Sequence, residues 1–324
     1  VPKQLVNLNG LLIVDKPGLP LSADPAVSPR LPTSHDIVQR VRRLSGQRRI
    51  GHTGTLDPMA GGVLVLCLGI ATRLVEYYQG HDKRYLAEIC LGTETDTYDA
   101  MGAIVDQQPI PELDRGQIQA ALRALAGEID QTPPVYSALK QDGESLHRKA
   151  RRGESVEVAS RRVTIHSLEL IELRPPARIL VRVHCSAGTY VRSIAHDLGQ
   201  ALGSCAHLSY LRREAVGHFH EQDAHTLEEI EDAAARGELP TLLQLPGAAL
   251  DLPQIVLDAA GIERIGYGQK VWLAVDHALE GDLVQSVDAS GQLLGILRIL
   301  DRSGGNDQAL FKAEKWLAPH LLDN

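Results

Sequence analysis

The chain has 324 residues, 44% hydrophobic and 23% charged, with a formal net charge of -8 at neutral pH. That length exceeds what one core usually organises, so a large domain with a smaller companion is expected. No apolar run approaches the roughly 20 residues of a bilayer span, which argues against a helical membrane protein, and the acidic balance argues against indiscriminate nucleic-acid binding.

Residues 1–9 carry neither a basic segment leading into an apolar core nor a small-residue cleavage site, and no initiator Met is present, so a processed chain in the cytoplasm is expected. Residues 11–14 predict a short strand ended by the turn Asp15-Lys16-Pro17-Gly18, and residues 19–32, rich in Pro, Ser and Ala, predict a loop. Thr33 and Asp36 have capping-box spacing, and Ile37, Val38, Val41 and Leu44 share one helical face before Gly46. Arginines 40, 42 and 43 lie on the other face. Residues 63–68 predict a buried strand, a short helix follows with Leu74, Val75 and Tyr78 inward, and residues 84–91 predict a further strand. The Thr-rich stretch 93–99 predicts a polar connection, and Ile118, Leu122 and Leu125 a helix closed near Gly127. Prolines 133 and 134 exclude a central strand or regular helix there. Strands are predicted at 163–173 and 179–185, then a helix capped by Thr189 with Val191, Ile194, Ala195, Leu198 and Leu202 on one face, then a strand at 207–216. An acidic closing helix to Glu238 and a proline-marked linker precede short β-like runs at 271–275, 283–287, 293–300 and 309–316, the pattern of a small β-barrel. The alternation of helices with strands argues for α+β architecture.

The stretch that invites chemistry is Gly51-His52-Thr53-Gly54-Thr55-Leu56-Asp57-Pro58-Met59-Ala60-Gly61-Gly62. It sets one carboxylate, Asp57, among residues that bend or free the backbone, directly before a buried strand. An Asp beside Pro is more often a turn former than a catalyst, so the loop alone does not decide the matter. Arg40, Arg42, Arg43, Arg48 and Arg49 crowd just ahead of it, and Arg148, Lys149, Arg151, Arg152, Arg161 and Arg162 form a second basic group. In an acidic chain such clusters fit a polyanionic substrate better than a merely solvated face. Conventional glycoside hydrolysis uses two carboxylates, whereas a lone carboxylate paired with an arginine suits covalent catalysis at an electrophilic carbon. The four cysteines contain no Cys-x-x-Cys pair, and neither His184 beside Cys185 nor Cys205 with His207 has zinc-site spacing; no metal is expected. No phosphate-loop or dinucleotide fingerprint occurs, so no nucleotide cofactor is expected.

The loop motif, with Val63 and Leu64, strongly resembles the catalytic motif of the TruB/dyskerin class of pseudouridine synthases. The blocks Leu12-Ile13-Val14-Asp15-Lys16-Pro17, Thr33-Ser34-His35-Asp36, Lys83-Arg84-Tyr85, Ser137-Ala138-Leu139-Lys140, Cys185-Ser186-Ala187-Gly188-Thr189-Tyr190-Val191-Arg192-Ser193 and His207-Leu208-Ser209-Tyr210-Leu211-Arg212-Arg213 resemble family blocks in the same order. The resemblance implies a mixed, mainly antiparallel sheet flanked by helices over residues 1–245, with an RNA-clamping insertion at about 130–155, and a PUA-like β-barrel over 246–324. It implies isomerisation of the T-loop uridine at tRNA position 55 to pseudouridine by a monomer using no cofactor. Asp57 would be the nucleophile, Tyr85 would stack on the flipped uracil and help remove its C5 proton, and His52 would fill the vacated place in the RNA stack. Arg192 would pair with Asp57, Tyr190 would support the site, and Leu211 would line the pocket. Lys16, Arg148, Lys149, Arg151 and Arg152 would contact RNA, and the motif glycines would let RNA approach closely. Two alternatives share the scaffold: a non-catalytic RNA-binding or RNA-folding protein, and a guide-RNA-dependent synthase. The loop 19–32 interrupts a connection that is usually short in the family, and Met59 stands where Leu is usual, a tolerable exchange.

Overall fold

In the computed structural model, residues 7–21, 30–136, 140–141, 144–145, 152, 158–175, 177–274, 282–302 and 308–318 are described. In chain order the strands are β1 Gly10–Lys16, β2 Ile50–His52, β3 Gly61–Leu68, β4 Lys83–Leu91, β5 Thr93–Thr95, β6 Ile104–Gln107, β7 Gly127–Gln131, β8 Lys140–Gln141, β9 Glu144–Ser145, β10 Arg161–Arg174, β11 Arg178–Cys185, β12 Ala206–Val216, β13 Phe219–His220, β14 Gln254–Val256, β15 Val271–Ala274, β16 Leu283–Val287, β17 Leu293–Asp301 and β18 Gln308–Trp316. The α-helices are α1 Ser34–Ser45, α2 Val75–Gln79, α3 Arg115–Ala124, α4 Val191–Ala201, α5 Leu227–Arg236 and α6 Ala259–Gly266.

Among the described residues nine strands form the main sheet, in the order β1-β3-β12-β4-β11-β10-β7, with β2 added to β3 and β13 to β12. Every pairing in it is antiparallel except β3 with β12, where Arg212 and Arg213 run parallel to Gly61 and Gly62. The sheet is buried on both faces at its centre. Side chains alternate across a strand, so Leu64, Leu66 and Leu68 of β3 join the core under α1, α3, α4 and α5, while Val63, Val65 and Cys67 face the opposite core with Tyr78 and Phe219.

α1 begins with the anticipated reciprocal capping box between Thr33 and Asp36 and ends at Gly46, whose φ of 73° supplies the left-handed cap. The helix at 191 starts differently from the expectation. Tyr190 is its N-cap, and the Thr189 hydroxyl bonds back to the Ser186 carbonyl at 3.0 Å. The Tyr190 backbone is held instead by the side-chain amide of Gln131 on β7, which accepts from its N–H at 2.8 Å and donates to its carbonyl at 3.0 Å. The polar connection 93–99 opens with β5, which pairs antiparallel with β6 to form a hairpin, and Gly127 begins the edge strand β7 rather than simply closing a helix.

β14 to β18 form a second sheet, ordered β14-β16-β17-β18-β15, over its own core of Leu257, Ile265, Val284, Leu297 and Phe311. It docks on the main domain through Ile296 and Leu317, which share a core with β3, and through polar anchors. Lys315 pairs with Glu76 at 2.8 Å, and the Tyr78 hydroxyl donates to the Pro246 carbonyl at 2.6 Å.

Candidate active site

The loop between β2 and β3 is tied at almost every residue. The Thr53 N–H bonds the Val65 carbonyl, and Ser34 Oγ, at the start of α1, accepts from the Leu56 N–H at 2.8 Å and donates to its carbonyl at 3.0 Å. Leu56 and Met59 are anchored in apolar surroundings. The Lys16 ammonium donates to the carbonyls of Pro17 at 3.0 Å, Pro58 at 3.0 Å and Ala60 at 2.7 Å. Arg213 of β12 donates from Nε to Val63 O at 2.7 Å and from Nη2 to Gly54 O at 3.1 Å. Asp57 thus projects from a backbone fixed by two buried cations, with its side chain 31% exposed.

Arg192, in the first turn of α4, faces that carboxylate. Its Nη2 donates to Asp57 Oδ1 at 3.1 Å, and its Nε lies 3.0 Å from Oδ2 at an angle that makes this an ion pair rather than a second hydrogen bond. The rest of the guanidinium is satisfied by the carbonyls of Thr97 and Tyr136, each at 3.1 Å, and by Asp99 Oδ2 at 3.6 Å. Arg192 is only 4% exposed, so its cation is held out of water while Asp57 stays partly open, and losing the buried partner costs more than losing one at a surface. Burial pushes the Asp99 carboxyl up, an effect opposed by Arg192.

Tyr85 on β4 lies between Val183 of β11 and Arg213 of β12. Burial pushes its hydroxyl up, and the Arg213 cation beside it opposes that shift. The imidazole of His52 is pushed down, first by burial and then by the charges of Arg213 and His35, so it is neutral at physiological pH. Its Nδ1 is enclosed, with no hydrogen-bond partner among the described residues. The Tyr190 ring carries the Arg161 guanidinium 4.6 Å from its centroid and that of Arg192 at 6.0 Å.

The structure therefore brings Asp57 and Arg192 into contact and sets Tyr190 against Arg192. Arg213 links Tyr85 to the Asp57 loop. Leu211 is buried on β12 and lines a cleft of about 330 Å³ with Asp15, Gly18, Gly61 and Arg212; Asp57 is not part of that lining. Lys16 departs from the expectation of an RNA contact: it is fully buried and its ammonium is spent on loop carbonyls. Burial lowers that ammonium to about 8, with the Asp57 charge the main opposing effect. The glycines also differ from expectation. A Cβ on Gly62 would lie 2.3 Å from the Arg213 carbonyl, and one on Gly61 would crowd Gly18 and Lys16, so these two serve protein packing. Arg40 pairs with Glu231 of α5, and Arg42 donates to the Ile50 carbonyl, which leaves less outward charge on α1 than its sequence suggests. Arg152 is exposed; Arg148, Lys149 and Arg151 lie outside the described residues.

Sequence reasoning missed Asp99 and Arg213 as members of the site. Arg213 had a readable signal, since it falls on the inward set of β12 with Leu211 and Ala215 and a charge there needs partners. Asp99 had none beyond its polar neighbourhood.

The model of the TruB family pseudouridylate synthase N-terminal domain matches residues 42–191, and that of the tRNA pseudouridylate synthase B C-terminal domain matches residues 192–246. The chain is 43% identical over 274 residues to a tRNA pseudouridine synthase B of Moorella thermoacetica, covering 82% of this chain and 90% of the relative. It is 41% identical over 300 residues to one of Xanthomonas campestris, covering 92% of each. Among solved structures, a Cbf5-Nop10-Gar1 complex matches with a TM-score of 0.74 at 24% identity over 99% of this chain and 88% of that one. An H/ACA RNP bound to a substrate RNA containing 2'-deoxyuridine matches with a TM-score of 0.73 at 23% identity, over the same shares. These structural likenesses concern the fold.

Proposed function

The chain belongs to the TruB family of pseudouridine synthases, and on that premise we propose that it isomerises the T-loop uridine at position 55 of tRNA to pseudouridine, with Asp57 as nucleophile. The observation that carries the reading is the Asp57–Arg192 pair at 3.0 and 3.1 Å on a loop whose backbone is fixed. A non-catalytic RNA binder gains nothing from presenting a carboxylate to a polyanion. A covalent catalyst needs one, oriented and neutralised by a cation that does not itself compete for substrate.

The target base of a folded RNA is stacked, so it must be extruded at a cost of a few kcal/mol and received by an apolar or aromatic surface. Tyr85 is that surface in this reading, and neutral His52 is suited to stand in the vacated stack because it carries no charge into it. With Asp57 as the nucleophile the bond between ribose C1' and uracil N1 breaks, the base turns, and C5 bonds to C1' as Asp57 is released; the proton lost from C5, with Tyr85 assisting, is balanced by one taken up at N1. No electrons are lost or gained overall. Tyr190, fixed at its backbone by Gln131, supports the Arg192 guanidinium. The basic stretch 148–152 would clamp the RNA, and residues 246–324, containing the second sheet, would be a PUA-like module contacting the tRNA.

The test is release of tritium from C5-labelled uridine in an unmodified tRNA transcript, with purified protein and no guide RNA. The wild-type chain is expected to release label from position 55, and Asp57→Asn to fall to the level of the no-enzyme control while still binding tRNA. Equal release by the two proteins would remove Asp57 from the chemistry, and dependence on an added guide RNA would favour the guided class.

A further inference from the structure

Sequence spacing hides one cluster that the fold assembles away from Asp57. Asp82 ends the turn before β4, His184 is the penultimate residue of β11, and His166 lies on β10; the chain separates them widely, and adjacent strands bring them together. Asp82 Oδ2 is 3.0 Å from His166 Nε2 and 3.8 Å from His184 Nε2, and the three donor atoms all lie within 4.8 Å of one another. The two rings are 4.6 Å apart at their centroids.

We propose that Asp82, His166 and His184 form a binding site for a divalent transition-metal ion of the zinc type, with the fourth position open to water. Two imidazoles and one carboxylate are an established donor set for such an ion. Bonds of about 2.0–2.2 Å in tetrahedral arrangement place neighbouring donors roughly 3.3–3.5 Å apart. The observed 3.0 and 3.8 Å bracket that separation and the third lies within 4.8 Å, so small shifts of the three side chains would close the site.

The backbone supplies a second, independent argument. Ile165 pairs with Cys185 and Ser167 with His184, so β10 has one extra residue at this point, and that residue is His166. The register from Ile165 already sets His166 opposite His184, and with the bulge present the two rings still meet, 4.6 Å apart. Asp82 is also held, because its carbonyl accepts from the Gly217 N–H at 2.9 Å. All three donors are partly exposed, which gives an ion a path in. Arg84, whose charge reaches His184, opposes any cation here, and the two imidazole donors favour an ion that binds nitrogen strongly over Mg²⁺. A bound ion would join β10 and β11 to the turn that leads into the Tyr85 strand.

The experiment is isothermal titration of tag-free, EDTA-treated full-length protein with ZnCl2, paired with thermal unfolding and repeated with MgCl2 and CoCl2. One Zn²⁺ per chain and a rise in Tm are expected, with no rise for Mg²⁺. Because the three side chains lie outside the proposed reaction centre, His166→Gln, His184→Gln and Asp82→Asn should each weaken Zn²⁺ binding at least about tenfold while leaving metal-free tRNA modification unchanged. Co²⁺ should give an absorption spectrum free of thiolate charge-transfer bands, since the four cysteines are not donors here. A Zn²⁺ isotherm unaltered in the three variants, a thiolate band, or the absence of any Zn²⁺ binding would overturn the proposal.

Discussion

Lys16 shows how little a charged residue's sequence neighbourhood says about its task. Beside a turn and in a chain expected to meet RNA, a lysine suggests a phosphate contact, yet its ammonium closes two carbonyls of the Asp57 loop, Pro58 and Ala60, and that of its neighbour Pro17. The two roles give opposite signatures on substitution. Lys16→Met keeps the length of the side chain and removes the donors, leaving the buried Ala60 carbonyl unpaired at about 1–3 kcal/mol. The expected outcome is a lowered urea midpoint and a lowered kcat in the tritium-release assay, with an unchanged salt dependence of tRNA binding. A phosphate contact would instead reduce the salt slope and spare stability. Turn formers and a following buried strand singled out Asp57 as a candidate, and the resemblance of its motif to the family's assigned it the role of nucleophile. Asp99 and Arg213 were not legible, since neither touches Asp57 directly: Asp99 joins the site through Arg192, and Arg213 through the Gly54 and Val63 carbonyls, across segments distant in sequence.

At the scale of elements, the parallel contact between β3 and β12 fixes the site. Gly62 has φ of +94°, and an added Cβ would strike the Arg213 backbone. Gly62→Ala is therefore expected to destabilise the fold by at least about 1–3 kcal/mol from backbone strain alone. It should also reduce activity, because Arg213 would move with Gly54 O and Val63 O, to which it is bonded. Gly51→Ala is the matched control: its nearest neighbour would be Val75 at 3.7 Å, and its stability should stay within about 0.5 kcal/mol of wild type. Chemical denaturation of the two variants separates a packing requirement from a general need for loop glycines. A strained residue also shapes the opposite wall, where Tyr98 has φ of 59° and the adjacent Thr97 carbonyl accepts from Arg192. Strong elements such as β1, β3 and α1 were legible because their apolar runs or capping residues determine them locally. The β5–β6 hairpin and β7 were not. β6 is exposed throughout and β7 mostly so, and they form because tertiary neighbours accept their backbone bonds, an effect that side-chain pattern does not record.

Across the whole molecule, histidine burial sets how the fold responds to acid. His52, His81, His184 and His207 are each lowered from the ordinary histidine value, with burial the largest cause in all four. They lie at the Asp57 loop, at the turn before β4, on β11 and on β12, so no single element carries the effect. A base whose folded value is depressed binds its proton more readily when unfolded. Its contribution to stability is therefore complete above about 6.5 and is lost as pH falls through the folded value. Asp99 acts in the opposite sense at lower pH, because burial raises its carboxyl and the folded state takes up that proton first. In EDTA, the urea midpoint is expected to be flat between about pH 8 and 7 and to fall steadily from about 6.5 to 5.5, before most carboxylates titrate. His207→Gln should flatten part of that fall. Its Nδ1 bonds the Thr93 carbonyl at 2.8 Å, and a glutamine amide can replace that donor without acquiring a charge. A midpoint that rises between pH 6.5 and 5.5 would mean that acidic neighbours, Asp82 beside His184 and Asp251 beside His81, outweigh the desolvation of these imidazoles.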